Sequence, residues 1–432
     1  MISPENFLEK LLADYNSALS NNGINGERVA KRLYELSKIG FTSAGGSNRP
    51  GFSKEEKQAK ELVKTWMKEA GLDVHEDGAG NVFGRLEGHN NQLPAIASGS
   101  HVDSVPNGGH FDGPLGVLAA LEVVEAWRET DHNPLKPFEV IIFSDEEGSR
   151  FNGGLTGSMA MMGSINYEEQ IKLNDFNGDS FTTVLEEYGT TLEKFKMAKR
   201  EKNDLEFFVE VHIEQGKRLE KANLPVGIVN GIAGPCWVEI IFTGKAGHAG
   251  NTPMNDRNDA LIAASEFILA VETLPEKVSP TSVATVGKMN VSPNGVNVIP
   301  GEVTLYVDIR DIKEETRDQL VELVLEEAKA IAEKRSIKIA IQEKTRVKPV
   351  PIEENIQNKL ANVLERHGIE PISIPSGAGH DAMILGRELP VSMIFVRSKD
   401  GISHNPKEWT SLNDCVTSVH VLKEFIESMM GE

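Results

Sequence analysis

The sequence predicts an α/β fold, a mostly parallel sheet flanked by helices, with a second, α+β domain inserted into it. Three observations predict this. The chain has 432 residues, too many for one ordinary core. Short apolar or β-branched runs alternate with helical patterns through the first half, as in sheets built from strand–helix units. A different pattern, β-α-β-β-α, then occupies about 110 residues before the first style returns. Residues 1–232 and 343–432 therefore read as one discontinuous domain, and 233–342 as the insert.

The elements follow in order. Residues 53–71 read as a helix, with Ser53 and Glu56 as a capping box and Gly71 at the C-cap. Ala95–Ser98 is a short strand running into Gly99-Ser100-His101. Val117, Leu121 and Val124 recur at helical spacing, and Val140–Phe143 is again a strand. In the insert, Val238–Phe242 reads as a strand, Gly244–Thr252 as a loop, and Arg257–Thr273 as a helix. Strands near Ser282–Lys288 and Val303–Asp308 and a charged helix over Lys313–Lys334 complete it. Beyond Gln342 the clearest element is the apolar strand Val391–Val396. There is no internal repeat or low-complexity stretch.

Composition narrows the function. With 65 acidic against 45 basic side chains the formal charge is −20, which argues against nucleic acid as a partner. Two cysteines, Cys236 and Cys415, make no disulfide framework and suit a reducing compartment. Met1 to Tyr15 carries Glu5, Glu9 and Asp14 among apolar residues, so it reads as an amphipathic helix and not a signal peptide. The most apolar helix, around Leu115–Trp127, is broken by Glu122 and Glu125, too polar for a membrane span. The expectation is a cytoplasmic protein with no membrane partner.

Four segments place ionisable residues just after predicted strands, where the sites of parallel sheets lie, and a fifth lies near the C-terminus. They are Gly99-Ser100-His101-Val102-Asp103, Phe111-Asp112-Gly113-Pro114, Ser144-Asp145-Glu146-Glu147-Gly148, Glu210-Val211-His212-Ile213-Glu214-Gln215-Gly216 and Ser403-His404-Asn405-Pro406. Each alone has an ordinary explanation: a hydrogen-bonded histidine, a solvated Glu-Glu pair, an Asp-Gly turn. Together they are a mixed His and carboxylate set of the kind that binds Zn²⁺ or Mn²⁺, without the thiolates of a structural zinc site. Asp103 lies on the same side of the strand as His101 and can orient its imidazole from behind. Gly108, Gly109 and Gly113 permit a tight backbone at Asp112. Glu146-Glu147 supplies one carboxylate for metal and a neighbour free to move a proton.

In this order the segments resemble the hydantoinase/carbamoylase family of dinuclear metal amidases. That family comprises N-carbamoyl-L-amino acid hydrolases, allantoate amidohydrolases and ureidopropionases, and belongs with aminoacylases and metallo-carboxypeptidases. The resemblance runs from about residue 25 to the C-terminus, and His212 to Gly216 is its most telling piece. It implies a metallo-exopeptidase-like catalytic domain holding two divalent ions, Zn, Mn or Co. His101, Asp112 and His212 would bind one ion, with Asp112 bridging. Glu147 and His404 would complete the second, leaving Glu146 as general base.

The resemblance also implies a substrate clamp. His248 would donate to the oxyanion, although by itself it reads as a turn histidine. Gln215, Asn297, Arg310 and Gly379, the last within Gly377-Ala378-Gly379-His380-Asp381, would hold a small molecule bearing a carboxylate and a ureido group. Asn152–Gly157, where the sequence departs from common family wording, would line the side-chain pocket. The insert would be a lid and dimerisation domain of a homodimer, closing over substrate. The implied reaction is hydrolysis of an N-carbamoyl-L-amino acid to the L-amino acid, CO2 and NH3. Allantoate hydrolysis to ureidoglycine, CO2 and NH3 is the alternative on the same chemistry. An aminoacylase or dipeptidase is a third reading, against which Gln215 and Asn297 offer hydrogen-bonding groups that a plain amide does not need.

Overall fold

The computed structural model describes residues 4–431; Met1 to Ser3, part of the N-terminal helix expected from the sequence, lie outside them. The chain forms two compact units. One comprises Met1–Val229, Ile352–Ile374 and His380–Glu432, the other Asn230–Pro351 and Pro375–Gly379.

The first unit opens with helices α1 (Pro4–Ala13), α2 (Gly26–Ser37) and α3 (Lys54–Glu69) and strands β1 (Asp73–Glu76), β2 (Val82–Leu86) and β3 (Ala95–His101). Helix α4 (Pro114–Glu129), strand β4 (Phe138–Phe143) and helix α5 (Thr156–Met162) follow. Three short helices come next, α6 (Tyr167–Gln170), α7 (Phe181–Tyr188) and α8 (Leu192–Lys196), then β5 (Leu205–Ile213), α9 (Arg218–Ala222) and β6 (Val226–Ile232). The second unit holds β7 (Gly234–Thr243), β8 (Gly247–His248), α10 (Ala260–Thr273), β9 (Val283–Ser292), β10 (Val298–Ile299), β11 (Glu302–Asp311), α11 (Glu314–Lys334), β12 (Lys338–Arg346) and β13 (Val350–Pro351). The chain ends with α12 (Glu354–Arg366), β14 (Ser373–Ser376), α13 (Asp381–Leu385), β15 (Val391–Val396) and α14 (Leu412–Met430).

In the first unit the strands run β1-β2-β4-β3-β5-β15-β6. The four central strands, β4, β3, β5 and β15, are parallel neighbours, while β1, β2 and β6 extend the edges antiparallel. The sheet is therefore mixed, with the expected parallel arrangement confined to its centre. Strands β3, β4 and β15 are buried along their whole length, as strands covered by helices on both faces must be.

Two local sequence signals resolve differently from their surface reading. Ser53 caps α3, accepting the Glu56 N–H at 3.1 Å, but Glu56 does not return a bond to Ser53; its Oε2 accepts the N–H of Phe52 at 2.5 Å. Glu122, which breaks the apolar pattern of α4, is fully buried. Arg28 of α2 grips it with Nε–Oε2 at 2.8 Å and Nη2–Oε1 at 2.6 Å, and Asn25 N–H donates to Oε1 at 2.7 Å. Among the described residues no helix is long and apolar enough to cross a membrane.

The second unit is an antiparallel sheet, β12-β7-β11-β9, with α10 and α11 packed against it around Phe242, Phe267, Leu305 and Leu320. Strand β11 alternates buried and half-buried residues, the pattern of a sheet with one covered face.

Candidate metal centre

His101 ends β3 and His212 lies one residue before the end of β5, so two adjacent parallel strands deliver both imidazoles to one rim of the sheet. Both rings are buried. The Nδ1 of His101 lies 3.1 Å from the carbonyl of Asp103, and that of His212 lies 2.9 Å from the carbonyl of Ile213. A carbonyl can only accept, so each Nδ1 carries hydrogen, and Nε2 is the nitrogen that faces Asp112 and would ligate a metal. Both Nε2 atoms are buried without a hydrogen-bond partner.

Asp112 stands between two groups. Its Oδ1 is 3.1 Å from His212 Nε2 and 3.7 Å from His101 Nε2, while its Oδ2 is 3.6 Å from His404 Nε2. His404 Nε2 is in turn 3.2 Å from Glu147 Oε2. Two triads thus share one carboxylate, His101–Asp112–His212 and Asp112–Glu147–His404, each compact enough to hold a metal ion. The donors are imidazole and carboxylate, a set suited to a divalent transition ion. Glu146 Oε2 approaches His101 Nε2 at 3.6 Å.

The backbone around Asp112 is shaped by close approaches. Gly113 has φ +80°, and a Cβ there would lie 2.4 Å from the His101 ring. Gly109 passes Glu408 so closely that a Cβ would fall 2.0 Å from its carboxyl group. Glu408 Oε1 accepts the N–H groups of Phe111 at 2.8 Å and Asp112 at 3.1 Å, and Oε2 lies 3.0 Å from the Ser403 hydroxyl, which also donates to Asp112. Neither Glu408 nor Ser403 stands out as a functional residue in the sequence. The only signal is their place beside His404-Asn405-Pro406.

Asp103 is used more widely than the sequence implies. Its Oδ1 is 3.4 Å from His101 Nδ1, but the same carboxylate accepts the Glu146 N–H at 3.2 Å through Oδ1 and the Glu147 N–H at 3.1 Å through Oδ2. Gln215, held at φ +55°, donates from Nε2 to Asp112 Oδ2 at 2.7 Å. The His380 ring packs on His212 with centroids 4.4 Å apart.

Burial and crowding set the charges. Burial raises the pKa of Glu146, and Asp381, Glu147 and Asp103 add to the shift against the opposing pull of His101. Burial would also raise Asp112, but His212 and His101 outweigh it and hold the group well below the usual carboxylate range. His404 is pushed up to about 9, chiefly by its hydrogen bond to Glu147.

The remaining sequence-derived residues belong to the second unit. His248, on β8, accepts the N–H groups of Gly250 at 3.0 Å and Asn251 at 3.2 Å on Nδ1, so Nε2–H is left as an exposed donor. The Asn297 carbonyl accepts the Ala249 N–H at 3.0 Å, which sets Asn297 beside His248. Arg310, on β11, donates to the Asp308 carboxylate and, at 2.6 Å, to the carbonyl of Gly377 in the Gly377–Gly379 loop.

Residues 97–428 match the model of peptidase family M20/M25/M40. The chain belongs to this family. M20 proteins are metal-dependent hydrolases, in keeping with the two triads. Across 92% of its length the chain is 43% identical to an N-carbamoyl-L-amino acid amidohydrolase of Geobacillus stearothermophilus, covering 97% of that protein. It is 37% identical to an allantoate amidohydrolase of Bacillus subtilis over 90% of its length and 94% of the relative. The fold superposes with a TM-score of 0.88 on a crystal structure of a hydantoinase/carbamoylase family amidase from Burkholderia multivorans. That match has 35% identity and covers 95% of this chain and 98% of the other. The resemblance carried by the strand-end motifs is thus borne out at the level of the M20 family and its carbamoylase-like amidases.

Proposed function

We propose that the chain hydrolyses the ureido group of an N-carbamoyl-L-amino acid, with one water consumed and the L-amino acid, CO2 and NH3 released. The observation that carries this reading is the pair of ligand triads sharing Asp112, with the carboxylate of Glu146 beside them. The 43% identity to a relative of that name selects the substrate class.

In this reading His101, Asp112 and His212 would hold one divalent ion and Asp112, Glu147 and His404 a second, the ions being Zn²⁺, Mn²⁺ or Co²⁺. When bound, such ions polarise the ureido carbonyl and lower the pKa of water to about 7. Glu146 takes the proton from the attacking water and returns it to the leaving nitrogen, because an amide nitrogen departs only once protonated. His248 Nε2–H donates to the developing oxyanion. Arg310 receives the substrate carboxylate, and Gln215, Asn297 and the Gly379 backbone receive the ureido group. Residues 233–342 serve as lid and dimerisation domain of a cytoplasmic homodimer.

Allantoate is the second reading, favoured by the identity of 37% to a relative of that name. Ammonia release by the metal-loaded enzyme on N-carbamoyl-L-methionine and on allantoate separates the two. The expected result is turnover of the carbamoyl amino acid; turnover of allantoate alone reverses the ranking. Glu146→Gln should keep its metal and lose turnover.

A further inference from the structure

All four backbone N–H groups of the segment Ser144–Glu147 are accepted by side-chain oxygens from elsewhere in the first unit. Ser144 donates to Asn81 Oδ1 at 3.1 Å and Asp145 to Glu56 Oε1 at 3.4 Å. Glu146 and Glu147 donate to the two oxygens of Asp103. The carbonyls of residues 144–146 are also taken, by the N–H groups of Gly157, Thr156 and Leu155 at 2.8, 3.2 and 2.9 Å. Asp145 is held at φ +50°, a left-handed conformation that a non-glycine residue keeps only when its surroundings impose it.

One of the side chains imposing it is unusual. Glu56 is fully buried, and so is its partner Lys60 one helical turn on, with Nζ–Oε1 at 2.7 Å. Lys60 Nζ also donates to the Ser144 hydroxyl at 2.6 Å and lies 3.4 Å from the Tyr188 hydroxyl. A buried ion pair in a soluble core is often less stabilising than apolar residues of the same volume, so stability alone is a poor account of this one. Every bond the pair makes beyond itself, apart from the Tyr188 contact and the Phe52 N–H, ends on Ser144 or Asp145, the two residues before Glu146.

We propose that the buried Glu56–Lys60 ion pair is a positioning device for the base-bearing segment, with Glu56 fixing the Asp145 amide and Lys60 fixing the Ser144 hydroxyl so that the Glu146 carboxylate is presented in one orientation. Lys60 neutralises Glu56 and lets it stay an acceptor inside the core. Burial opposes charge on Lys60, but the Glu56 carboxylate outweighs it and raises the lysine pKa. The side chains of the pair contact none of the proposed ligand residues, so the effect is expected on kcat. The inference rests on Glu146 being the base.

The test uses three variants of the full-length, metal-loaded enzyme. Glu56→Gln removes one acceptor oxygen at constant volume, and Glu56→Leu/Lys60→Met replaces the whole pair by apolar side chains. Glu146→Gln is the control. Expected for the first two is a fall in kcat of about 10-fold or more, with KM and metal content within about twofold of the parent. The double variant removes both buried charges together and is expected to fold and bind metal while its kcat stays low, which a merely structural pair would not do. The inference is overturned if kcat returns with stability in the double variant. Should that variant fail to fold, a kcat within twofold of the parent for Glu56→Gln overturns it equally. If Glu146→Gln turns over normally, the base assignment itself fails and this inference with it. A dead Glu146→Gln beside a fully active Glu56→Gln removes the positioning role alone.

Discussion

His404 Nε2 lies 3.2 Å from Glu147 Oε2, and this hydrogen bond holds the half-exposed imidazole protonated up to about pH 9. A metal ion bound by His404 as proposed would therefore compete with a proton for that nitrogen. Loading the metal-free protein at pH 7 should release about one proton from His404, and affinity should climb as the pH rises toward 9. Calorimetric titration in buffers of different ionisation enthalpy measures this directly. Binding heats that do not depend on the buffer would contradict it.

His110 makes a second pH-dependent prediction, for stability. Its ring is buried between Phe7 and Phe41, and Nε2 donates to the Gly45 carbonyl at 3.1 Å. Burial and then the nearby Arg49 lower its pKa to about 4. The unfolded chain takes up a proton near pH 6.5 and the folded one does not until about pH 4. The stabilisation is therefore complete above 6.5 and disappears as the pH falls to 4, by up to about 3 kcal/mol. His110→Gln keeps a donor for Gly45 but cannot titrate. Its denaturant midpoint should fall less than the parent's between pH 7 and pH 4.5.

Removing Arg28 leaves the Glu122 carboxylate buried in the middle of α4 with Arg32 Nη1, 3.8 Å away, as the remaining cation. Arg28→Met should cost about 3 kcal/mol, since an uncompensated buried charge is left behind. Adding Glu122→Met should recover most of that loss. Equal midpoints for the single and double variants in urea would show that Glu122 finds another partner.

Both cysteines, Cys236 and Cys415, are free and buried. Burial raises the thiol pKa of each, and for Cys415 it does so strongly. The native protein should react with an aromatic disulfide reagent far more slowly than the denatured chain, which should titrate two thiols. Prompt reaction of a thiol in the folded protein would show a local opening of α14 or β7.

The parts of the site legible in the sequence were those where chemistry and strand position coincide. His101 and His212 stand at the ends of apolar runs that need no tertiary information to recognise, and Glu146-Glu147 follows a third. The parallel centre of the sheet was legible for the same reason, while the antiparallel strands at its edges were not. Glu408 was not legible because it acts by accepting backbone amides of Phe111 and Asp112, almost 300 residues away in sequence. Glu56 carried a misleading local signal: the pattern that caps α3 also fits a carboxylate spent on a distant loop. Helices α6, α7 and α8 lack a long periodic stretch and owe their form to packing of Phe151, Phe181 and Phe195.

Strands β3 and β5 are buried on both faces, so sliding one past the other by a single residue would leave the apolar content of the core almost unchanged. It would turn His101 or His212 to the wrong side of the sheet. Hydrophobicity is nearly blind to that error, and a divalent ion is not. Metal bound at the two triads as proposed would register it, so the metal content of a refolded chain would report strand alignment as much as activity.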